Sequence, residues 1–259
     1  MKRIFAVVLL LGLGQAAASA QGGATIETPD DLKATPDYTR ATRSLVPVPA
    51  RVSLTGKIPQ PRSQADTSTC TSWAATYAAA SAAVRKAGAG DQVTLSPAFT
   101  YNQISHDSFC RAATSVSKTL DLLKEQGALP IDEFVFNAGW CGRMPTEAER
   151  QRAQRYRIGS WSWFAASDVD RVKEHLARGV PVIFTMVVGQ RFAAFRGDGI
   201  LTGDDGAINA HSMVVVGYDD DRRAFAIQNS AGRNWGDGGY AWISYDYWKN
   251  AARVAYVIN

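Results

Sequence analysis

The order of helix and strand signals along the chain constrains its fold more than any other feature. From Ser72 to Ala87 the sequence is rich in alanine and contains neither glycine nor proline, which predicts a helix that ends at Gly88. A second helix is predicted to begin at Pro97 with Ser96 as its cap, and a third covers residues 117–126. The first half of the chain is therefore predicted to be mainly helical.

The second half of the chain carries short apolar runs rich in β-branched residues, as buried strands do. After a short helix predicted over Asp168–Arg178 with Ser167 as its cap, these runs are Val180–Val188, Ser212–Tyr218, Ala224–Gln228, Gly239–Ser244 and Arg253–Ile258. Helices first and strands later predict an α+β protein with two lobes and a cleft between them. We place the helical lobe at about 64–155 and the β lobe at about 156–259.

Four polar residues stand at positions that suit thiol chemistry. Cys70 is predicted in the first turn of the alanine-rich helix, where the helix dipole favours the reactive thiolate. His211 precedes one predicted strand and Asn229 follows the next, so neighbouring strands would place them close together as proton carrier and orienting group. Gln64, six residues before the cysteine, could stabilise an oxyanion. Each residue alone has an ordinary structural explanation, so the hypothesis depends on the combination.

In this combination and order the residues resemble the papain-like (C1) cysteine peptidases, in particular bacterial members with a short pro-segment. The resemblance implies a helical left lobe, a β-barrel right lobe and an active-site cleft between them. It implies a cysteine-type peptidase that cleaves peptide bonds through an acyl-enzyme. Cys70 would be the nucleophile, His211 the general base and acid, and Asn229 the orienting residue, and Gln64 would form the oxyanion hole with the Cys70 amide. The resemblance runs from about Val48 to the C-terminus, and the matching pieces are Gln64 with Cys70, Leu95–Pro97, Ala210–Tyr218 and Asn229–Tyr240.

The chain departs from the family pattern at several positions. Thr71 replaces a tryptophan, Thr67 replaces a cysteine, and Ala112–Ser115 stands near the place of a glycine pair that lines the cleft. Ala231 replaces a tryptophan that shields the bond between histidine and asparagine from water. Because water weakens such a bond, we expect slow turnover unless another group, such as Trp235, covers it.

Two alternatives to an active peptidase stay open. One is a catalytically weak or inactive papain-like domain that binds peptides, which is favoured by Ala231 and the missing cleft glycines and disfavoured by the complete set of four polar residues. The other is a cell-wall peptide amidase that uses the same thiol chemistry, and no sequence feature separates it from the peptidase.

The N-terminal region predicts export. Lys2 and Arg3 precede the apolar stretch Ile4–Leu13, and Ala18–Ala20 has the small residues of a cleavage site. We predict a signal peptide over 1–20, an extended N-terminal arm or short pro-segment over 21–47, and a papain-like peptidase domain over 48–259. The mature protein is expected to be secreted or periplasmic.

Charge argues against nucleic-acid binding. Cleavage after residue 20 removes Lys2 and Arg3 from 28 basic residues and none of the 24 acidic ones, which leaves a formal charge of +2. This charge is too small and too dispersed to predict a nucleic-acid partner. We expect a peptide or protein substrate, no nucleic acid, no stable membrane association after signal cleavage and a monomer.

The cysteines and histidines outside the candidate site are given structural roles. Three cysteines in an exported chain leave one unpaired, and if Cys70 is the nucleophile then Cys110 and Cys141 can form a disulfide. Two buried free thiols are the alternative. His106 and His175 are expected at the surface. No cysteine pair has Cys-x-x-Cys spacing, so we expect no metal and no cofactor.

Overall fold

The structure is a computed structural model, and residues 22–33, 48–206 and 208–259 are described. The predicted signal peptide 1–20 and residues 34–47 of the predicted arm lie outside the described residues. The helices are α1 (Cys70–Ser72), α2 (Ser81–Val84), α3 (Pro97–Ser105), α4 (Val116–Glu125), α5 (Glu147–Ala153), α6 (Val169–Ala177), α7 (Gln190–Ala193) and α8 (Tyr245–Ala251). The strands are β1 (Arg51–Ser53), β2 (Trp161–Ala165), β3 (Val182–Val188), β4 (Ile200–Leu201), β5 (Asn209–Asp219), β6 (Ala224–Gln228), β7 (Tyr240–Ser244) and β8 (Ala252–Ile258).

One helical run over residues 70–89, called the central helix below, forms the middle of the helical lobe. It consists of α1, a π-helical segment Trp73–Ala80, α2 and a second π-helical segment Arg85–Ala89. Gly88 adopts a φ of +93°, so regular helix geometry ends at this glycine as predicted. Every residue of Trp73–Ala80 is buried, because α3 and α4 pack on one side of the segment and β3 and β5 on another. The central helix is therefore a core helix that is apolar on all sides.

The other predicted helix starts are correct to within one residue, and of the two predicted caps Ser96 is in the cap position and Ser167 is not. α3 begins at Pro97, yet the Ser96 side chain makes no capping bond and its buried hydroxyl has no hydrogen-bond partner. α6 begins at Val169, one residue later than predicted, so Asp168 instead of Ser167 accepts the hydrogen bond from the Arg171 amide. α4 is capped by Ser115, whose side chain accepts from the Lys118 amide.

An eight-stranded sheet forms the second lobe. Its strands follow the order β2-β8-β3-β5-β6-β7-β4, and β1 pairs with β5 near its end. β3, β5 and β6 are antiparallel neighbours, so the predicted adjacency of the strands that carry His211 and precede Asn229 is correct. The prediction missed β1, β2, β4, α7 and α8, none of which is longer than seven residues. Helical lobe and sheet lobe together give the predicted α+β class.

The sheet separates two apolar cores. One face packs against the central helix and contributes Ile183, Val214 and Tyr256 to the core between the lobes. The other face packs against α6 and α8, with Phe184 and Trp248 at its centre. This second core also contains His175, which is 4% exposed and stacks on Phe164 at 5.4 Å. The expectation that His175 lies at the surface is therefore wrong, because α6 turns this face of the helix toward the sheet.

The cysteines are arranged as predicted. Cys110 and Cys141 form a disulfide, and Cys70 is a free, buried thiol. In the described ranges, no helix has both the length and the apolar character needed to cross a bilayer.

Candidate active site

The cleft between the lobes brings the four predicted polar residues together. Cys70 is the first residue of α1, and His211 is the third residue of β5. Asn229 directly follows β6, and Gln64 lies in the extended chain that leads into the central helix. Cys70, His211 and Gln64 are fully buried and Asn229 is 3% exposed. Four groups from distant parts of the sequence thus share one enclosed region.

The hydrogen bond between His211 and Asn229 fixes the imidazole. His211 Nε2 lies 2.7 Å from Asn229 Oδ1, which also accepts the Ser230 amide at 2.7 Å. Because Oδ1 is an acceptor, the imidazole proton lies on Nε2, and the bare Nδ1 is left to accept a proton. Nδ1 is buried and has no hydrogen-bond partner in this structure. The ring is therefore oriented with its basic nitrogen available.

The Cys70 thiol is connected to the strand of His211, because the backbone amide of Ser212, the residue after His211, donates toward its sulfur. Burial raises the pKa of the Cys70 thiol to about 11, against the opposing effect of the Ser212 amide. Burial also lowers the pKa of His211 to about 4, and the bond to Asn229 opposes this shift. Both shifts favour the neutral thiol and the neutral imidazole in this enclosed site.

Gln64 connects the cysteine side of the site to the asparagine side. Its Nε2 donates to the Thr67 carbonyl at 2.5 Å, and its Oε1 accepts from the Ser230 hydroxyl at 2.6 Å. The Gln64 amide donates to the Ser230 carbonyl at 2.8 Å. The second N–H of the carboxamide and the Cys70 amide at the helix start are the donors that could face an oxyanion. Ser230 is a positioning residue that the sequence analysis did not identify, although it stands next to Asn229.

An aromatic group covers the imidazole in spite of Ala231. The Phe192 ring meets His211 edge-on at a centroid distance of 6.0 Å, and Trp235 packs on Phe192 at 4.9 Å. Trp235 also donates from its indole N–H to the Phe192 carbonyl at 2.8 Å, which fixes that residue. The condition stated for Ala231 is therefore met: Phe192 covers the ring, and Trp235 acts through Phe192. No sequence signal marks Phe192, because it lies in the short helix α7 far from the motifs.

Thr71, which stands in place of the family tryptophan, bridges the two lobes beneath the thiol. Its hydroxyl lies 3.1 Å from the Thr114 carbonyl oxygen, to which it donates, and 3.5 Å from the Ser212 hydroxyl. Ser212 in turn shares a hydrogen bond of 2.8 Å with Thr185 on β3. A chain of small hydroxyl groups therefore replaces the bulk of an indole at this position.

The N-terminal segment, residues 22–27, crosses the cleft. The Gly23 amide donates to the Ala210 carbonyl, next to His211, at 3.1 Å. On the opposite side the Thr25 amide donates to the Thr114 carbonyl at 2.9 Å, and the Thr114 amide donates to the Gly23 carbonyl at 2.9 Å. Gly23 lies so close to the Ser68 backbone that a Cβ would be 2.3 Å from the Ser68 carbonyl oxygen. The segment thus binds both walls of the cleft, a course that the prediction of an extended arm or short pro-segment did not specify.

Thr114 shows what the cleft offers to an extended chain. Its backbone N–H and C=O both bind the N-terminal segment, in the part of the chain where the family glycine pair is missing. A threonine backbone makes the same two hydrogen bonds as a glycine backbone, so the cleft keeps its capacity to bind a peptide strand. Over the three described ranges, no cluster of His, Cys, Asp and Glu side chains could hold a metal ion.

Comparison with known proteins identifies the class of protein that this fold and site define. Residues 48–257 match the family described as "Papain family cysteine protease", so the chain belongs to the papain family of cysteine proteases. The predicted papain-like two-lobe α+β fold is thereby confirmed.

The individual solved structures that resemble this chain share less than a quarter of its sequence. Xylellain, a cysteine protease from Xylella fastidiosa, is 24% identical, and the likeness covers 92% of this chain and 96% of that chain with a TM-score of 0.77. A cysteine protease of Carica candamarcensis, solved in complex with E-64, is 19% identical over 82% of this chain and 99% of that chain, with a TM-score of 0.65. These likenesses are likenesses of fold.

Two relatives are more alike in sequence over shorter stretches. Falcipain-3 of Plasmodium falciparum is 31% identical over 137 residues, which are 45% of this chain and 27% of that protein. Cysteine proteinase EP-B 1 of Hordeum vulgare is 34% identical over 80 residues, which are 29% of this chain and 22% of that protein. The match thus spans only about a quarter of each of these relatives.

Proposed function

We propose that this protein is an exported cysteine peptidase that hydrolyses peptide bonds through an acyl-enzyme on Cys70. The observation that carries the proposal is that a free, buried thiol at a helix start and an imidazole fixed by an asparagine share one enclosed region, where the amide of the residue after the histidine donates toward the sulfur. Membership of the papain family supports the same conclusion.

The geometry suits a two-stage mechanism. The thiol proton passes to His211 Nδ1, and the Cys70 sulfur attacks the carbonyl carbon of the scissile bond. The oxyanion accepts hydrogen bonds from the Gln64 carboxamide and the Cys70 amide. The tetrahedral species collapses as the imidazolium gives its proton to the leaving amine, which leaves a thioester on Cys70. Water then attacks the thioester with His211 as base, and the acid product and the thiol are released.

Asn229 serves this mechanism as a positioning residue. Its Oδ1 accepts from Nε2 of His211 in both protonation states of the ring, so Nδ1 stays directed at the reacting atoms. The bond stabilises the imidazolium, and the edge of Phe192 limits the access of water to it.

The N-terminal segment acts in this proposal as a short pro-segment. Its backbone bonds to Ala210 and Thr114 occupy the groups that an extended substrate would use, so the described form is closed to substrate. Activation then requires that the segment leave the cleft by displacement or by cleavage in residues 34–47.

Export is supported by the sequence of residues 1–20 and by the disulfide between Cys110 and Cys141. Disulfides form and persist in oxidising compartments such as the periplasm and the extracellular space. We therefore place the mature protein outside the cytoplasm, with peptides or proteins as its substrates.

The test combines labelling with turnover. A thiol-directed epoxide probe should label the protein once, at Cys70, and the protein should hydrolyse quenched peptides. Cys70→Ser is the matched control, because it keeps the size of the side chain and loses the nucleophile, so both signals should vanish. Peptide hydrolysis that persists in Cys70→Ser would refute the proposal. Labelling accompanied by hydrolysis of cell-wall peptides alone would favour the amidase instead.

A further inference from the structure

The carboxylate of Glu27, at the end of the N-terminal segment, occupies a site formed by both lobes. Glu27 is 7% exposed. Its Oε2 lies 3.1 Å from the Ser117 amide nitrogen and 2.9 Å from the Tyr256 hydroxyl, and its Oε1 accepts a short hydrogen bond from the Ser117 hydroxyl. Three donors thus surround one buried carboxylate. We call Ser117, Tyr256 and the first turn of α4 the carboxylate seat.

The chemistry of the seat suits an anion. Ser117 is the second residue of the ten-residue helix α4, where backbone amides have no partner within the helix and the dipole favours negative charge. The cap Ser115 already serves the Lys118 amide, so the Ser117 amide stays available for Glu27. Burial and the nearby Glu27 both raise the pKa of Tyr256, which keeps its hydroxyl protonated as a donor. No Lys or Arg of the described ranges forms an ion pair with Glu27, so the site depends on hydrogen bonds.

The seat lies in line with the part of the cleft that binds a peptide backbone. The N-terminal segment passes from Ala210, beside His211, over Thr114 to Glu27, and Ser117 in the first turn of α4 is three residues beyond Thr114. A strand that takes the place of this segment would pass the same two points. One of its side chains would then face Ser117 and Tyr256.

Leaving the seat empty, or filling it with an apolar side chain, is unfavourable. Tyr256 is 1% exposed, and when Glu27 leaves, its hydroxyl and the Ser117 donors lose their acceptor. A buried donor without an acceptor is costly, and an apolar side chain in the seat would leave the Tyr256 hydroxyl unpaired. A carboxylate restores every bond, and hydrogen bonds to a charged acceptor are the stronger kind.

We propose that the carboxylate seat is a specificity subsite, which Glu27 fills in the closed form and an acidic side chain of the substrate peptide fills during catalysis. The proposal rests on the proposed peptidase function. The expected substrates are peptides with an acidic residue at one fixed distance from the scissile bond.

The test measures kcat/KM of the full chain for internally quenched decapeptides in which a single Glu is moved along an uncharged sequence, each with a Gln partner. Both peptides of a pair are assayed with the same enzyme preparation. The fraction of molecules with an open cleft therefore cancels in the ratio of their kcat/KM values. At one position the Glu peptide should be favoured by about tenfold or more. This ratio should fall to about threefold or less in Tyr256→Phe and in Ser117→Ala.

Tyr218→Phe is the matched control. Tyr218 is an equally buried tyrosine whose hydroxyl donates to the Pro49 carbonyl, away from the seat, so its loss should leave the ratio unchanged. Equal cleavage of Glu and Gln peptides at every position would overturn the proposal. So would a Glu preference that survives both seat variants.

A second arm of the experiment needs no catalysis. In Glu27→Gln the resident side chain no longer offers a carboxylate, and a synthetic peptide of residues 22–33 can compete for the cleft. The peptide with Glu27 should slow alkylation of Cys70 by iodoacetamide at a concentration about tenfold lower than the same peptide with Glu27→Gln needs. If no peptide is cleaved, the proposed function fails while this comparison still decides about the seat. Equal protection by the two peptides would overturn the proposal.

Discussion

Replacing Gly23 by alanine is expected to expel the N-terminal segment from the cleft. Gly23 has a φ of +126°, and a Cβ there would lie 2.3 Å from the Ser68 carbonyl oxygen and 2.4 Å from the Ser68 Cα. Both contacts are with backbone atoms. Ser68 cannot move away easily, because its amide donates to the carbonyl of the disulfide-bonded Cys110 at 2.8 Å. The N-terminal segment must therefore move away from Ser68.

The size of the effect follows from the strain. A residue with a side chain in this region of φ costs about 1–3 kcal/mol before the overlap is counted. Each backbone hydrogen bond that holds the segment contributes about 0.5–1.5 kcal/mol, so a few such bonds do not exceed this strain by much. A shift of 1–3 kcal/mol changes the ratio of open to closed molecules by about 5–150-fold. Alkylation of Cys70 should accelerate by this factor.

The assay is the rate of Cys70 carboxamidomethylation, followed by intact mass, with peptide hydrolysis as a second readout. Gly90→Ala is the control for backbone strain alone, because Gly90 has a φ of +107° and its Cβ would meet only Val93 Cγ2 at 4.0 Å. Alkylation of folded Gly23→Ala at no more than the rate of the parent protein would show that the segment stays in the cleft. Equal acceleration in Gly90→Ala would show that backbone strain alone, and not the overlap with Ser68, is the cause.

Further perturbations follow from the same structure. His211→Ala should lower kcat/KM more than Asn229→Ala, since one residue transfers protons and the other orients it; the reverse order in steady-state rates would contradict the roles. Ala231→Trp should not raise turnover, because the His211–Asn229 bond is already covered. Overpacking should lower the free energy of unfolding by about 1–3 kcal/mol, which a lower melting temperature would show. Burial lowers the pKa of His175 to about 4 in the folded protein. Between about pH 6.5 and pH 4 the unfolded state therefore binds one proton more than the folded state, and stability falls as the pH falls. Urea titrations should show this loss to be about 3 kcal/mol smaller in His175→Gln. Cys110→Ser opens a loop with a sequence separation of 31 residues, and calorimetry should show a loss of about 3–4 kcal/mol.

Local signals in the sequence were sufficient for the elements that carry the four polar residues. Gly88 and Pro97 fix one helix end and one helix start through backbone geometry that other residues adopt poorly. The run Ala224–Gln228 forms a strand with the predicted bounds, because it is apolar and bounded by turns. These elements explain why the positions of Cys70 and Asn229 could be predicted.

Contacts between distant residues could not be predicted in this way. Phe192 covers His211 only because α7 folds back over the sheet, and nothing in its neighbourhood marks it as part of a site. The sequence of residues 21–47 shows only that the arm is polar, whereas the course of residues 22–27 along the cleft depends on partners such as Ala210 and Thr114. His175 was misplaced for the same reason, since its burial depends on how α6 packs against Phe164.

The central claim is that Cys70 forms a covalent acyl intermediate with His211 as its base. Rapid acid quenching of the reaction with a p-nitrophenyl ester, followed by intact mass and peptide mapping, measures this directly. We predict one added acyl group on Cys70, which accumulates in a burst and disappears as the ester is consumed, and no adduct in Cys70→Ser. Turnover without any adduct on Cys70, or with the acyl group on another residue, would contradict it.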